Sequence, residues 1–233
     1  MRSRRPAAGR KRPIAAAPAL SILDRLQNQH PGAWTELNFN NAYELLVATI
    51  LSAQCTDARV NQVTPKLFAK YPTPARLARA TQEELEPQIQ STGFFRMKSR
   101  SLLGMSRALV EHYGGDVPPD MEALVELPGV GRKTANVVLG HAFRIPGLPV
   151  DRHVLRVANR LGLIKTDDAV EAEGQLTEQL LPERWTVTSD TLILHGRRIC
   201  KPTPHCDRCN VRELCLYYRK LGPKAMRRPR RTR

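Results

Sequence analysis

Two stretches carry side chains whose types and spacing suit covalent chemistry. In LPGVGRKTANVVL (residues 127–139), Lys133 stands two residues after the second glycine of a Pro-Gly turn, where an apolar helix begins. A cation beside the positive end of a helix dipole is costly unless something negative arrives there. Gly129 and Gly131, flanking Val130, can take positive φ and let another backbone come close. The free N–H groups of the following helix, from Arg132 through Thr134, then form a cradle for a phosphate. The plainer alternative is a tight turn between packed helices. With the phosphate on backbone donors, Lys133 has two readings: a further phosphate contact, or, once its proton is drawn off, a nucleophilic amine. In VDRHVLRVANRLG (residues 150–162), Asp151 follows Pro149 at a helix start. There it either caps free N–H groups or, if near Lys133, accepts the amine proton and steadies a developing positive charge.

A second kind of chemistry is written in four cysteines. Cys200, Cys206, Cys209 and Cys215 are spaced C-x5-C-x2-C-x5-C, and the fifth, Cys55, stands alone as an ordinary small core residue. In a reducing compartment such a cluster is a metal site rather than a pair of disulfides. Four thiolates in a compact loop suit tetrahedral zinc or a [4Fe–4S] cluster, and spacing alone does not choose between them.

The elements that must position these groups read as helical throughout. Apolar spacing follows the 3.6-residue period, as in Leu20, Leu23 and Leu26, and no alternating β-branched run suggests a sheet. Thr73 before Pro74, the Thr81 to Glu84 capping box and Asp120 mark helix starts; Gly93, YGGDVPP and RIPGLPV mark stops. The expected helices cover about residues 18–29, 41–53, 57–70, 74–80, 82–91, 96–113, 119–127, 132–143, 151–161, 168–181 and 186–199.

The 233 residues, 41% hydrophobic, suffice for a good core. The formal charge of +15 points to a polyanionic partner, but it is unevenly spread. Residues 1–13 and 220–233 contain many lysines and arginines and no acid, leaving +2 for residues 14–219. These ends read as disordered basic arms that add salt-dependent, sequence-independent grip on nucleic acid, or as merely solubilising tails. The Arg- and Ala-rich start also imitates an organellar transit peptide. No apolar run reaches the ~18 residues of a membrane helix and no signal-peptide core is visible, so a soluble, intracellular protein with no membrane partner is expected.

With LLVATILSAQCTDARVN (residues 45–61) added to the two stretches above, the sequence resembles the endonuclease III family of DNA glycosylases, from about Leu20 to Leu216. The resemblance implies an all-α helix-hairpin-helix glycosylase fold. Residues 14–35 would be an N-terminal helix packing with the cluster lobe. Residues 36–145 would form a six-helix barrel lobe with the hairpin at 119–143, residues 146–216 the cluster lobe, and residues 217–233 a basic tail. DNA would lie between the lobes.

It also implies a monomeric base-excision repair enzyme, cytoplasmic and nucleoid-associated in a bacterium. Its substrates would be double-stranded DNA bearing oxidised pyrimidines or abasic sites. Lys133 would be the Schiff-base nucleophile and Asp151 its carboxylate. Gln54 would enter the gap left by the flipped nucleotide, and Phe94 or Phe95 would wedge the base stack. As plainer readings, Gln54 is a surface amide and the phenylalanines are core residues. His153 would line the base pocket or be structural. The family carries a [4Fe–4S] cluster, with six residues rather than five in the first cysteine gap, and more often has a smaller residue than Arg152 at that position. An adenine mispair glycosylase of the same superfamily lacks the lysine, and a non-catalytic DNA-binding module makes the grouping of Lys133, Asp151 and Gln54 a coincidence.

Overall fold

A computed structural model describes residues 18–222; the basic arm at 1–13 and all but the first residues of the expected 217–233 tail lie outside them. Every regular element among the described residues is helical. The first stretch holds α1 (Ala19–Gln29), α2 (Ala42–Ser52), α3 (Asp57–Lys70), α4 (Pro74–Ala78), α5 (Gln82–Ile89) and α6 (Phe95–Tyr113). The second holds α7 (Met121–Val125), α8 (Arg132–Val138), α9 (Arg152–Leu161), α10 (Ala169–Thr177), α11 (Trp185–Arg198) and α12 (Leu216–Leu221).

The caps show why the helices begin where they do. Asn41, Thr56, Thr73, Thr81, Asp120, Asp151 and Asp168 each accept a hydrogen bond from a backbone N–H in the first turn. Thr81 and Glu84 complete a capping box. Gly114 and Gly162 close α6 and α9 in the left-handed region.

Apolar residues collect into two cores. One spans Leu37 to Leu139, with α2 at its centre and buried on nearly every face from Leu45 to Leu51. The other joins Ile22, Leu23 and Leu26 of α1 to residues between Leu148 and Cys215. Helix α9 shows how the second core is written: Val154, Val157, Ala158 and Leu161 face inward at the spacing of a single stripe. Arg152, Arg156 and Arg160 fall outside that stripe.

Three expected boundaries shift. The 168–181 helix ends at Thr177: the N–H groups of Gln179 and Leu180 bond three residues back, to Leu176 and Thr177, and Pro182 then holds Leu181 in extended backbone. The 132–143 helix passes at Leu139 into a π-helical turn, Leu139–Phe143. There Gly140 admits Thr186: a Cβ on it would lie 2.6 Å from the Thr186 hydroxyl. Residues 216–221 form α12, with Tyr217 and Tyr218 packed on the second core, so the fold runs past the point where a tail was expected.

Candidate active site and cysteine centre

The hairpin connects α7 to α8 through Leu127–Pro128–Gly129–Val130–Gly131. Gly129 alone takes positive φ, at +80°, and a Cβ there would sit 2.5 Å from Ser101 Cβ. Gly131, which could also take positive φ, is instead extended, with φ −97°. Gly131 serves by openness: nothing lies within 4 Å of where its Cβ would be, and no side chain caps the helix it starts. Val130 is buried and its N–H donates to the Leu127 carbonyl, which anchors the turn to the first core. Gly129→Ala is therefore expected to cost roughly 2–4 kcal/mol, from strain plus overpacking, whereas Gly131→Ala costs little. Chemical denaturation of both variants checks this, and equal losses would refute the distinction.

Lys133 is exposed on the first turn of α8 and Asp151 is half-buried at the head of α9. They line one cleft, open to solvent, together with Trp34, Asp57, His141 and Arg197 among others. Asp151 Oδ1 accepts from His153 N–H at 2.7 Å and Val154 N–H at 2.9 Å. Its other oxygen, Oδ2, has no hydrogen-bond partner among the described residues. The cap and the carboxylate are thus compatible roles: one oxygen is fixed by the helix and the other is left for chemistry.

Other expected residues sit as follows. Gln54 is exposed between α2 and α3 with φ 53°, and Phe94 is 59% exposed ahead of α6 with φ 50°. Phe95 packs on the first core instead. Thr134 is half-buried. Arg132 turns to α10, where its guanidinium grips Glu173 through two hydrogen bonds of 2.8 and 2.9 Å. His153 does not line the cavity; it lies against Gly196 of α11 and accepts from Arg156 at 3.1 Å. Burial and the neighbouring arginines hold its imidazole below the usual range, against the pull of Asp151. Arg152 is exposed and also lies off the cavity lining.

Several lining groups were not found by reading the sequence. Trp34 comes from the segment before α2 and meets the His141 ring edge at 4.4 Å. His141 bonds Asp190 at 3.0 Å, joining the two lobes beside the cavity. Arg197 links α11 to Asp57 at 2.7 Å and also to Glu36. The partners of these groups are too distant in sequence to signal one another. Met97, 67% exposed, follows Phe94 by one helical turn and adds a second apolar side chain at that tip.

All four clustered cysteines line a second cavity, bounded also by Arg160, His195, Tyr217 and Tyr218. None of them is in a disulfide. Among the described residues no three His, Cys, Asp or Glu side chains converge tightly enough to hold a single metal ion. Burial, reinforced by the other sulfurs, pushes the Cys209 thiol up to about 12, against one backbone N–H from Val211. Such a thiol ionises only if a cation compensates it. The short Cys200–Cys206 loop folds back on itself, with Lys201 and His205 N–H donating to the Ile199 carbonyl. Arg160 holds it from α9 through the Lys201 and Pro202 carbonyls at 2.6 and 2.8 Å.

A hairpin with an uncapped helix start, an amine and a carboxylate in one cleft, and a four-cysteine loop define a helix-hairpin-helix DNA repair protein. The family model for HhH-GPD superfamily base excision DNA repair proteins matches residues 47–183. Endonuclease III of Synechocystis sp. is 48% identical over 84% of this chain and 91% of its own. Endonuclease III of Escherichia coli is 40% identical over 88% of this chain and 98% of its own. A solved structure of a trapped covalent intermediate between endonuclease III and DNA is 44% identical and superposes with a TM-score of 0.83, covering 86% of this chain and 95% of that one. The chain belongs to the endonuclease III family. It is a base-excision repair enzyme of the glycosylase and lyase class that acts on DNA. No helix among the described residues is long and apolar enough to cross a membrane.

Proposed function

We propose that the enzyme removes oxidised or ring-saturated pyrimidines from duplex DNA and then cuts the strand through a Schiff base on Lys133. The observation that carries this is that Lys133 of the first lobe and Asp151 of the second line the same cavity. A trapped covalent complex of a 44% identical relative with DNA supports it. The backbone of Gly129 and Gly131 and the N–H groups of Arg132 to Thr134 hold a phosphate, with Val130 anchoring the turn through its bond to Leu127, and this brings the flipped nucleotide to the amine. The unprotonated Lys133 Nζ attacks C1′, the bond from C1′ to the base breaks, and its electron pair leaves with the base, which takes up a proton. The Asp151 carboxylate stabilises the positive charge that develops on the sugar and accepts the proton the amine sheds. Ring opening gives the Schiff base, which acidifies the C2′ hydrogens. Loss of one expels the 3′ phosphate, completing β-elimination.

Gln54 fills the gap and pairs with the orphaned base, its amide serving as donor or acceptor. Phe94 enters the stack beside it. Arg132 and His153 act through position: the first ties α8 to α10, and the second packs α9 on α11. The enzyme works as a monomer in the bacterial cytoplasm. Its relatives of this name are bacterial.

The cysteine cavity fits a [4Fe–4S] cluster, held by Cys200, Cys206, Cys209 and Cys215. All four thiols line one cavity, and burial leaves the Cys209 thiol in need of a compensating cation. When bound, the cluster supplies a rigid cross-link that holds a loop bearing Lys201, Arg208 and Arg212 against the DNA backbone. Purified protein is expected to contain ~4 iron and ~4 sulfide per chain and to absorb visible light, and Cys209→Ala to lose both. Stoichiometric zinc without iron would exclude the cluster.

The test of the catalytic reading is borohydride reduction in the presence of a thymine glycol duplex or an abasic duplex. A covalent protein–DNA band on both is expected. A band on the abasic duplex alone rejects base removal from this lesion, and no band on either, with binding intact, rejects the Schiff base.

A further inference from the structure

Lys98 is a buried lysine that the reaction above does not use. It is 5% exposed, on the first turns of α6. Among the described residues it forms no ion pair with a carboxylate. Its Nζ donates instead to two backbone carbonyls, of Leu51 and of Thr92, each at 2.8 Å. Burial holds the amine below the usual lysine range. A cation so placed is unfavourable unless its partners are strong acceptors, and each of these carbonyls lies at a helix C-terminus, where partial negative charge gathers.

The two carbonyls belong to two particular turns. Leu51 is in the last turn of α2, three residues before Gln54 at φ 53°. Thr92 ends a short 3-10 turn, Gln90–Thr92, two residues before Phe94 at φ 50°. Among the described residues, only Gln54, Phe94 and Arg144 are non-glycine residues with positive φ. One amine therefore joins the roots of two turns, each ending in a strained residue that projects its side chain to solvent. Strain of this kind persists only where surrounding structure imposes it.

We propose that Lys98 is a positioning residue for base extrusion: it sets the separation of the Gln54 and Phe94 turns so that both side chains enter the duplex together. This rests on the reading of Gln54 and Phe94 as the groups that enter DNA. Displacement of either turn by about 1 Å would leave the amine and carboxylate of the active site intact but make flipping from a paired duplex slow.

The experiment compares Lys98→Met, Lys98→Gln, Gln54→Ala and Phe94→Ala with wild type in single-turnover assays. One substrate is a thymine glycol duplex and the other an abasic single strand, which has no base to extrude. Fluorescence of 2-aminopurine placed beside the lesion reports unstacking. Lys98→Met is expected to lose about 100-fold on the duplex and the fluorescence rise, with single-strand cleavage close to wild type. Lys98→Gln, whose amide can still donate to the carbonyls, is expected to recover part of both. It carries the same comparison if the methionine variant does not fold. Equal losses on the two substrates overturn the proposal, since they mark general damage. Wild-type rates for the Lys98 variants beside slow Gln54→Ala and Phe94→Ala overturn it as well. Wild-type rates for Gln54→Ala and Phe94→Ala overturn the reading of the two turns, and the proposal with it.

Discussion

Lys133→Gln is expected to abolish the borohydride-trapped complex and to slow both base removal and strand cleavage by about 1,000-fold or more. Glutamine keeps a polar side chain of similar reach but cannot form an imine, so the loss isolates the nucleophile. Because Lys133 is exposed, stability is expected to stay within ~0.5 kcal/mol of wild type. Binding to a lesion duplex is expected to weaken only modestly, with the salt dependence falling by about one charge. Single-turnover kinetics and a salt titration separate these effects. A variant that binds less tightly in step with its lost activity would identify Lys133 as a phosphate contact.

Asp151 carries the second large expectation, and here two substitutions are needed because one carboxylate does two things. Asp151→Asn retains an Oδ1 that accepts from His153 and Val154, so α9 keeps its cap. Its stability is expected to stay within ~0.5 kcal/mol of wild type, while turnover falls by about 100- to 10,000-fold with the charge. Asp151→Ala loses the charge and the cap together, and is expected to cost a further 0.5–2 kcal/mol, on the order of a lost N-cap. Thermal melts beside glycosylase assays test this. An active asparagine variant would reduce Asp151 to a cap.

Much of the helical frame can be read from local signals, because caps act within three or four residues. Thr81 with Glu84 and Asp120 ahead of α7 are visible in the sequence and make their bonds in the structure. The hairpin is equally local, although which glycine needs positive φ depends on Ser101, a residue on α6. The cavity wall is a different matter. Trp34, His141, and Asp190 with Arg197 of α11 come from three separate segments, and nothing in their immediate neighbours marks them. The pairing of Arg132 with Glu173 was equally hidden, since the two lie 41 residues apart. The sequence could not choose between roles for His153, because only the packing of α9 against Gly196 turns it from the cavity.

The placement of α1 bears on how the chain comes together during synthesis. Its Ile22, Leu23 and Leu26 pack in a core whose other members lie between Leu148 and Cys215. The ribosome therefore releases α1 first, yet its partners emerge only after the whole of the other lobe. That lobe draws on residues 37–139 and can condense while translation continues. Until then α1 is an amphipathic segment with a bare apolar stripe, the form that chaperones hold. A ribosome stalled before Leu148 would release a chain with one finished lobe and a leading helix that has nowhere to dock.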